Sequence, residues 1–228
     1  MAPRVPWSPN SAAARGRMST FPQMTAAPSA TTTTPTSSCR LPDSPHIMAL
    51  TNSLQDLLGM NAPEFSLPGI DGNTYSLADF DGSKVLVVIF MCNHCPYVKA
   101  VLDRLNRLAD SYDAGDVAFV GISANDADIY PEDSFAAMQQ LPIRFPYLYD
   151  ETQAVAQAYQ AVCTPDIFVF DDKRTLVYHG RIDDNWQDED AVTKEELREG
   201  IDAALRGEQI PPEEQKPSMG CNIKWKEA

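Results

Sequence analysis

Two cysteines separated by two residues are the feature of this sequence best suited to chemistry. Cys92 and Cys95 enclose Asn93 and His94. A thiolate is both a nucleophile and a metal ligand, and this spacing lets two sulfurs approach within bonding distance. The pair predicts a redox-active dithiol, with a zinc site and two merely packed thiols as alternatives. Zinc usually needs four ligands from two such pairs, and the sequence has one pair, so the dithiol is favoured.

The elements around the pair should place it where a buried strand ends and a helix begins. Residues 84–91 are a continuous apolar run, typical of a strand buried on both faces. Apolar residues then recur at helical spacing over about 93–112. Because a helix N-terminus stabilises a thiolate, we predict that Cys92, before the first turn, is the more exposed and acidic thiol and attacks first. Cys95, one turn in, should be the buried resolving thiol.

His94 is predicted to tune the pKa of the pair. A protonated imidazole beside a thiolate stabilises it and makes a dithiol more oxidising. The alternative is an ordinary exposed histidine in a turn. Pro96, directly after the second cysteine, suits the first turn of a helix, where its missing N–H costs little.

The rest of the chain alternates between strand and helix patterns. Further strands are predicted at 62–67, 117–122, 145–149, 166–170 and 175–179, and further helices at 131–140, 152–159 and 193–206. Thr193 and Glu196 form a candidate capping box for the last helix. Alternation predicts a parallel part of the sheet, and the last two strands predict an antiparallel hairpin. The fold class is therefore α/β, with a central mixed sheet flanked by helices.

Charge and composition divide the chain and limit its partners. The net charge of −14 argues against nucleic acid or an anionic membrane as a main partner. Residues 1–47 are rich in Ala, Ser, Thr and Pro and are predicted to be a disordered extension, either a transit peptide or an overextended start with Met48 as initiator. Residues 48–207 would form the domain and 208–228 a C-terminal tail. We expect a cytoplasmic protein, or an organellar one if the extension is a transit peptide.

Three runs of residues carry a resemblance to a known family. Residues 90–98 (FMCNHCPYV), 164–171 (TPDIFVFD) and 220–225 (GCNIKW) resemble the thioredoxin-like superfamily, on the branch of alkyl hydroperoxide reductase C and thiol-specific antioxidant (redoxin) domains. The resemblance implies a thioredoxin-like fold and an antioxidant or redox-homeostasis role. It also implies that Pro165 is cis and lies against the cysteine pair, so that the Thr164 backbone binds an extended substrate segment as an added strand.

The sequence departs from the peroxidases of this family at two positions. They carry Thr where Cys92 stands and Arg where Pro165 stands, while their peroxide-attacking Cys matches Cys95. Without the Thr and Arg, peroxide would lack its polarising donors, so we favour a thiol–disulfide oxidoreductase over a thiol peroxidase. A non-catalytic thiol- or metal-binding module is a further alternative. Thioredoxin itself has Trp-Cys-Gly-Pro-Cys, and the changed residues leave the redox direction open.

Two other cysteines are candidate auxiliary thiols. Cys163 precedes the Thr164–Pro165 pair and is interpreted mainly as a small buried residue, with a regulatory thiol as the alternative. Cys221 follows several prolines in the predicted tail, where it would be either an inert exposed thiol or a mobile resolving thiol. The expected partners are protein or small-molecule disulfides and thiols and a dithiol electron donor or acceptor. No cofactor, metal, nucleic acid or membrane is expected.

Overall fold

The computed structural model describes residues 50–54 and 56–227. The predicted extension at 1–47 and the proposed start at Met48 lie outside this range. The strands are β1 Leu50–Asn52, β2 Ser66–Pro68, β3 Thr74–Ser76, β4 Val85–Phe90, β5 Val117–Ser123, β6 Tyr147–Tyr149, β7 Cys163–Thr164, β8 Asp166–Phe170, β9 Leu176–His179 and β10 Met219–Asn222. The α-helices are α1 Pro96–Asp110, α2 Phe135–Met138, α3 Ala154–Ala158 and α4 Glu196–Leu205. In the part of the chain described, no helix is long and apolar enough to cross a membrane.

The central sheet has five strands in the order β6-β5-β4-β8-β9. Strands β4, β5 and β6 run parallel, and β8 and β9 are antiparallel to their neighbours. Every residue of β4 and β5 is buried, because both strands are apolar runs with elements packed on each face. Val87 and Ile89 face α1 and α4, while Val88 faces α3 and the aromatic residues of β8. The predicted α/β class, with a mixed sheet flanked by helices, is confirmed.

The helix starts differ from the predicted ones. Helix α1 begins at Pro96, and Cys95 is its N-cap with φ −61° and ψ 121°. The residue before a proline is sterically disfavoured in the helical region, so Cys95 cannot lie one turn inside the helix, as predicted. Helix α4 begins at Glu196 rather than Thr193, because the Thr193 amide bonds to the Asp184 carboxylate instead (2.9 Å).

The C-terminal segment adds a strand to the domain. Strand β10 lies between β1 and β7 in a three-stranded sheet and pairs Cys221 with Thr164. Gly220 makes this close approach possible, since a Cβ there would lie 1.9 Å from the Thr164 carbonyl oxygen. Cys221 is only 3% exposed. The expectation of an exposed or mobile thiol at Cys221 is therefore wrong.

Candidate active site

The loop that joins β4 to α1 carries both thiols. Cys92, Asn93 and His94 lie between the last residue of β4 and the N-cap of α1, which is Cys95. The prediction that Cys92 is the more exposed thiol is wrong, because both cysteine side chains are 0% exposed. Met91 is also fully buried. The loop therefore folds its sulfurs inward onto the sheet rather than out to solvent.

The two thiols meet at the residue before Pro165. Both cysteines belong to one buried cluster. Cys92 Sγ lies 3.5 Å from the Thr164 hydroxyl oxygen, and Cys95 Sγ donates to the Thr164 carbonyl oxygen at 3.1 Å. The Thr164–Pro165 bond is cis, as the resemblance implied. The structure thus brings together four of the predicted site residues, Cys92, Cys95, Thr164 and Pro165.

The more acidic thiol is Cys95, not Cys92. The hydrogen bond with Cys92 lowers the pKa of Cys95. Hydrogen bonds with the Thr164 side chain and the backbone amides of Val98 and Cys221 lower it further, against the opposing effect of burial. The same sulfur–sulfur bond, followed by burial, raises the pKa of Cys92 well above its usual value. The amide of Val98 belongs to the first turn of α1, so the helix N-terminus acts on its N-cap thiol rather than on the preceding cysteine.

Asp133 fixes the cysteine loop by hydrogen bonds, and the sequence analysis did not predict this role. Its buried carboxylate accepts hydrogen bonds from the Asn93 amide (2.7 Å), the His94 amide (3.1 Å) and the Asn125 side chain (2.7 Å). Burial opposes its ionisation, but the hydrogen bonds from His94 and Asn125 outweigh burial and lower the pKa of Asp133. The predicted helix at 131–140 is broken by extended Ser134, and Asp133 ends the 3₁₀ turn before that break. No local sequence motif indicates a contact between residues 39 to 40 positions apart.

His94 lies between the thiol and this carboxylate. Its Nδ1 atom is 2.5 Å from Asp133 Oδ2 and 3.9 Å from Cys92 Sγ. Its ring stacks on Tyr130, with centroids 4.9 Å apart. The negative charge of Asp133 raises the pKa of Cys92, which opposes the stabilisation that a protonated His94 would give. The tuning role of His94 stays a prediction, and it depends on Asp133.

The same three residues are the metal-binding alternative. Ligand atoms of Cys92, His94 and Asp133 lie within 4.8 Å of one another. Both Asp133 oxygens already accept hydrogen bonds, two at Oδ1 from backbone amides and two at Oδ2 from side chains. A cation would have to displace the bonds that shape the loop. The donor set therefore fits a hydrogen-bonded thiol loop better than a preformed metal centre.

The backbone of Thr164 is already paired with β10. Ile223 N donates to Val162 O at 3.1 Å. Hydrogen-bonded and non-bonded pairs alternate along an antiparallel ladder, so Thr164 and Cys221 form the next hydrogen-bonded pair. Strand β10 thus occupies the edge that the resemblance assigns to a substrate strand, and substrate binding at Thr164 stays a prediction.

The remaining predicted thiol and the surroundings of Pro165 complete the site. Cys163 is buried, its Sγ contacts Pro165 O at 3.6 Å, and burial raises its pKa. Pro165 also lines a cavity of about 400 Å³. Tyr97 and Trp186, whose ring centroids are 4.3 Å apart, form part of its wall. The cavity offers an apolar surface next to the cis-proline loop.

Comparisons with known proteins agree with this fold. The AhpC/TSA family model matches residues 58–179, so the chain belongs to the AhpC/TSA family. The Mycobacterium tuberculosis protein "Putative peroxiredoxin Rv2521" is 35% identical over 104 residues, which are 45% of this chain and 63% of that protein. The match thus covers less than two thirds of this curated relative.

Two solved structures are similar to this fold. An uncharacterised conserved protein from Geobacillus kaustophilus is 45% identical, has a TM-score of 0.74, and is matched over 98% of its chain and 79% of this one. A Neisseria meningitidis "Putative Thioredoxin" is 25% identical with a TM-score of 0.50, over 64% of this chain and 89% of that one. The fold is thioredoxin-like.

Proposed function

We propose that this chain is a thiol–disulfide oxidoreductase whose redox group is the Cys92/Cys95 dithiol. The observation that supports the proposal is that both sulfurs contact Thr164, while one of them belongs to the N-cap residue of α1. Family membership supports redox chemistry, because the matched relative is named as a peroxiredoxin. A role in redox homeostasis follows from such chemistry.

The reaction uses both thiols in turn. Cys92, as thiolate, attacks one sulfur of a client disulfide, forms a mixed disulfide and releases the other client sulfur as a thiolate. Cys95 then attacks Cys92 Sγ and releases the second client thiolate, which leaves a Cys92–Cys95 disulfide. The client gains two electrons and the protein loses two, and an external dithiol regenerates the pair. The client thiolate released first takes the proton of Cys95, and contacts with the Thr164 side chain and the amides of Val98 and Cys221 favour the resulting Cys95 thiolate.

The surroundings of the two sulfurs support this order of attack. Cys95 is enclosed by Thr164 O and the amides of Val98 and Cys221, so these groups occupy the space around it. Cys92 lies in the loop itself, where the Thr164 hydroxyl lowers its pKa by hydrogen bonding although other effects raise it. A proton passing from Cys92 to Cys95 converts the resting pair into the attacking form.

A thiol peroxidase is the second candidate. The observation that favours it is the lowered pKa of Cys95, the residue that matches the peroxide-attacking cysteine of the family. Position 165 is a proline and supplies no N–H donor to a peroxide. Peroxide consumption that depends on Cys95 and persists in Cys92→Ser would favour this candidate over dithiol exchange.

Trapping experiments test the order of the two thiols. In Cys95→Ser the mixed disulfide cannot be resolved. We therefore expect a disulfide-bonded client such as insulin to remain covalently attached at Cys92. The measurement is non-reducing electrophoresis followed by peptide mass spectrometry. Cys92→Ser/Cys95→Ser is the matched control and should trap nothing. Attachment at Cys95 in Cys92→Ser, with none at Cys92 in Cys95→Ser, would reverse the proposed order.

A further inference from the structure

A third thiol lies beside the pair. Cys221 belongs to the same buried cluster as Cys92 and Cys95 and pairs in register with Thr164, whose carbonyl oxygen accepts from Cys95 Sγ at 3.1 Å. The three thiols therefore lie around Thr164. All three side chains are buried, at 0%, 0% and 3% exposure. Cys163, by contrast, directs its sulfur to Pro165 O.

Strand β10 places Cys221 where a bound client strand would place its own cysteine. It pairs antiparallel with Cys163 and Thr164, so it takes the backbone edge that an extended substrate would use beside the cis-proline. Gly220, without a Cβ, lets β10 lie directly against Thr164 O. Cys221 then stands beside the active-site sulfur, in the position of a cysteine carried by a bound client.

We propose that Cys221 is a third redox thiol, which attacks Cys95 Sγ in the oxidised pair and moves the disulfide from Cys92–Cys95 to Cys95–Cys221. The step rests on the proposed function, because it starts from the disulfide that client reduction leaves. One S–S bond breaks and one forms, Cys92 leaves as a thiolate, and the proton of Cys221 passes to it. No electrons enter or leave the protein.

The redox state of the pair controls when Cys221 can react. Burial, the hydrogen bond with Cys95 and the charge of Cys95 together raise the pKa of Cys221 to about 12. Two of these three effects come from Cys95 and require its reduced sulfur. Oxidation of the pair removes them and leaves burial, the largest effect, which the nearby Lys224 opposes. Cys221 is therefore deprotonated more readily beside the oxidised pair than beside the reduced pair.

The transfer has a consequence for the site. A Cys95–Cys221 bond ties the N-cap of α1 to β10, which then cannot leave the Thr164 edge. The protein then holds its disulfide at Cys95–Cys221, and Cys92 is again a free thiol. Client strands are thereby excluded until a donor dithiol reduces the new bond.

Oxidation of Cys92→Ser isolates the proposed bond. We expect diamide treatment of the full-length variant, followed by alkylation and peptide mass spectrometry, to give a Cys95–Cys221 disulfide. The matched control, Cys92→Ser/Cys163→Ser, should give the same bond in the same yield. Absence of Cys95–Cys221 at every diamide concentration, or its replacement by Cys95–Cys163, would overturn the proposal.

A second variant changes the strand and leaves every thiol intact. In the Cys92→Ser background, Gly220→Ala forces β10 away from Thr164, because the added Cβ would collide with the Thr164 carbonyl oxygen. Disulfides form only when the two Cα atoms lie within roughly 7 Å of each other. The yield of Cys95–Cys221 should therefore fall at least about fivefold. Gly115→Ala, where an added Cβ meets nothing within 4 Å, should leave the yield unchanged. An unchanged yield in Gly220→Ala would contradict delivery by β10.

The same experiments also test the proposed function, independently of the third thiol. Cys221→Ser should form Cys92–Cys95 on oxidation, because the disulfide cannot move to the third thiol in this variant. Absence of that bond in Cys221→Ser would contradict the dithiol mechanism. Its presence together with no Cys95–Cys221 in Cys92→Ser would overturn only the third-thiol proposal.

Discussion

Replacing Asp133 by alanine should destabilise the protein by about 3–5 kcal/mol, the usual cost of removing one partner from a buried charged network. The substitution leaves the Asn93 and His94 amides and the Asn125 side chain without their acceptor. Each buried donor without a partner costs about 1–3 kcal/mol. The measurement is the free energy of unfolding from chemical denaturation.

Glu132→Ala is the matched control for this prediction. Glu132 precedes Asp133 and has an exposed side chain, so its loss should change stability by less than about 0.5 kcal/mol. Asp133→Asn keeps an oxygen acceptor for the two loop amides and should lie between the two variants. Equal stabilities of Asp133→Ala and Glu132→Ala would mean that this carboxylate does not hold the loop.

Acid titration should show the same contribution. Folding lowers the pKa of Asp133 below its ordinary value of 3.8, so its stabilising effect is fully present above about pH 4 and is lost as the pH falls further. The stability difference between wild type and Asp133→Asn should therefore shrink only on the acid side of this range. The negative charge of Asp133 also raises the pKa of Cys92, so Cys92 should be alkylated at lower pH in Asp133→Asn.

Cys92→Ser should lower the rate of client disulfide reduction by at least about 1,000-fold, since removal of a nucleophile commonly costs that much or more. A serine hydroxyl remains protonated at neutral pH and forms no disulfide, whereas the thiolate of Cys92 starts the proposed exchange. The measurement is turnover of insulin with dithiothreitol as the electron donor. Near-native melting temperatures would show that the fold is intact.

Cys163→Ser is the control for this loss of activity. Cys163 is buried nearby, yet its sulfur contacts Pro165 O rather than the pair, so its variant should turn over within about twofold of wild type. Full activity in Cys92→Ser would remove Cys92 from the mechanism. Equal losses in both variants would indicate a structural effect on the cis-proline loop instead of a chemical one.

The sheet could be predicted because its strands are encoded locally. Strands β4, β5 and β8 are apolar runs, and the turn between β8 and β9 is marked by its own residues. The helix start at Pro96 was also accessible from the sequence, because a proline keeps the preceding residue out of helical conformation. Applied to Cys95, this rule places the second thiol at the N-cap, where it is the better-stabilised thiolate.

The rest of the site could not be predicted because it depends on distant contacts. Asp133 reaches the loop across 39 to 40 residues, from a turn with no recognisable motif. Asn125 belongs to a polar run typical of an exposed turn, yet it is buried between Asp133 and the Lys224 amide. Cys221 follows prolines that suggested a tail, and only its pairing with Thr164 places it beside Cys95. In each case the partner lies far away in the sequence.

The most direct measurement is a redox titration of Cys221→Ser, in which the disulfide cannot move to the third thiol. The titration uses glutathione buffers, with alkylation of free thiols and peptide mass spectrometry of Cys92 and Cys95. We predict that the two thiols are oxidised together and reversibly, with intramolecular Cys92–Cys95 as the first disulfide to appear. A midpoint near about −270 mV would mark a reductant of the thioredoxin kind, and one near about −120 mV an oxidant. Absence of a Cys92–Cys95 disulfide at every poise would contradict the dithiol mechanism.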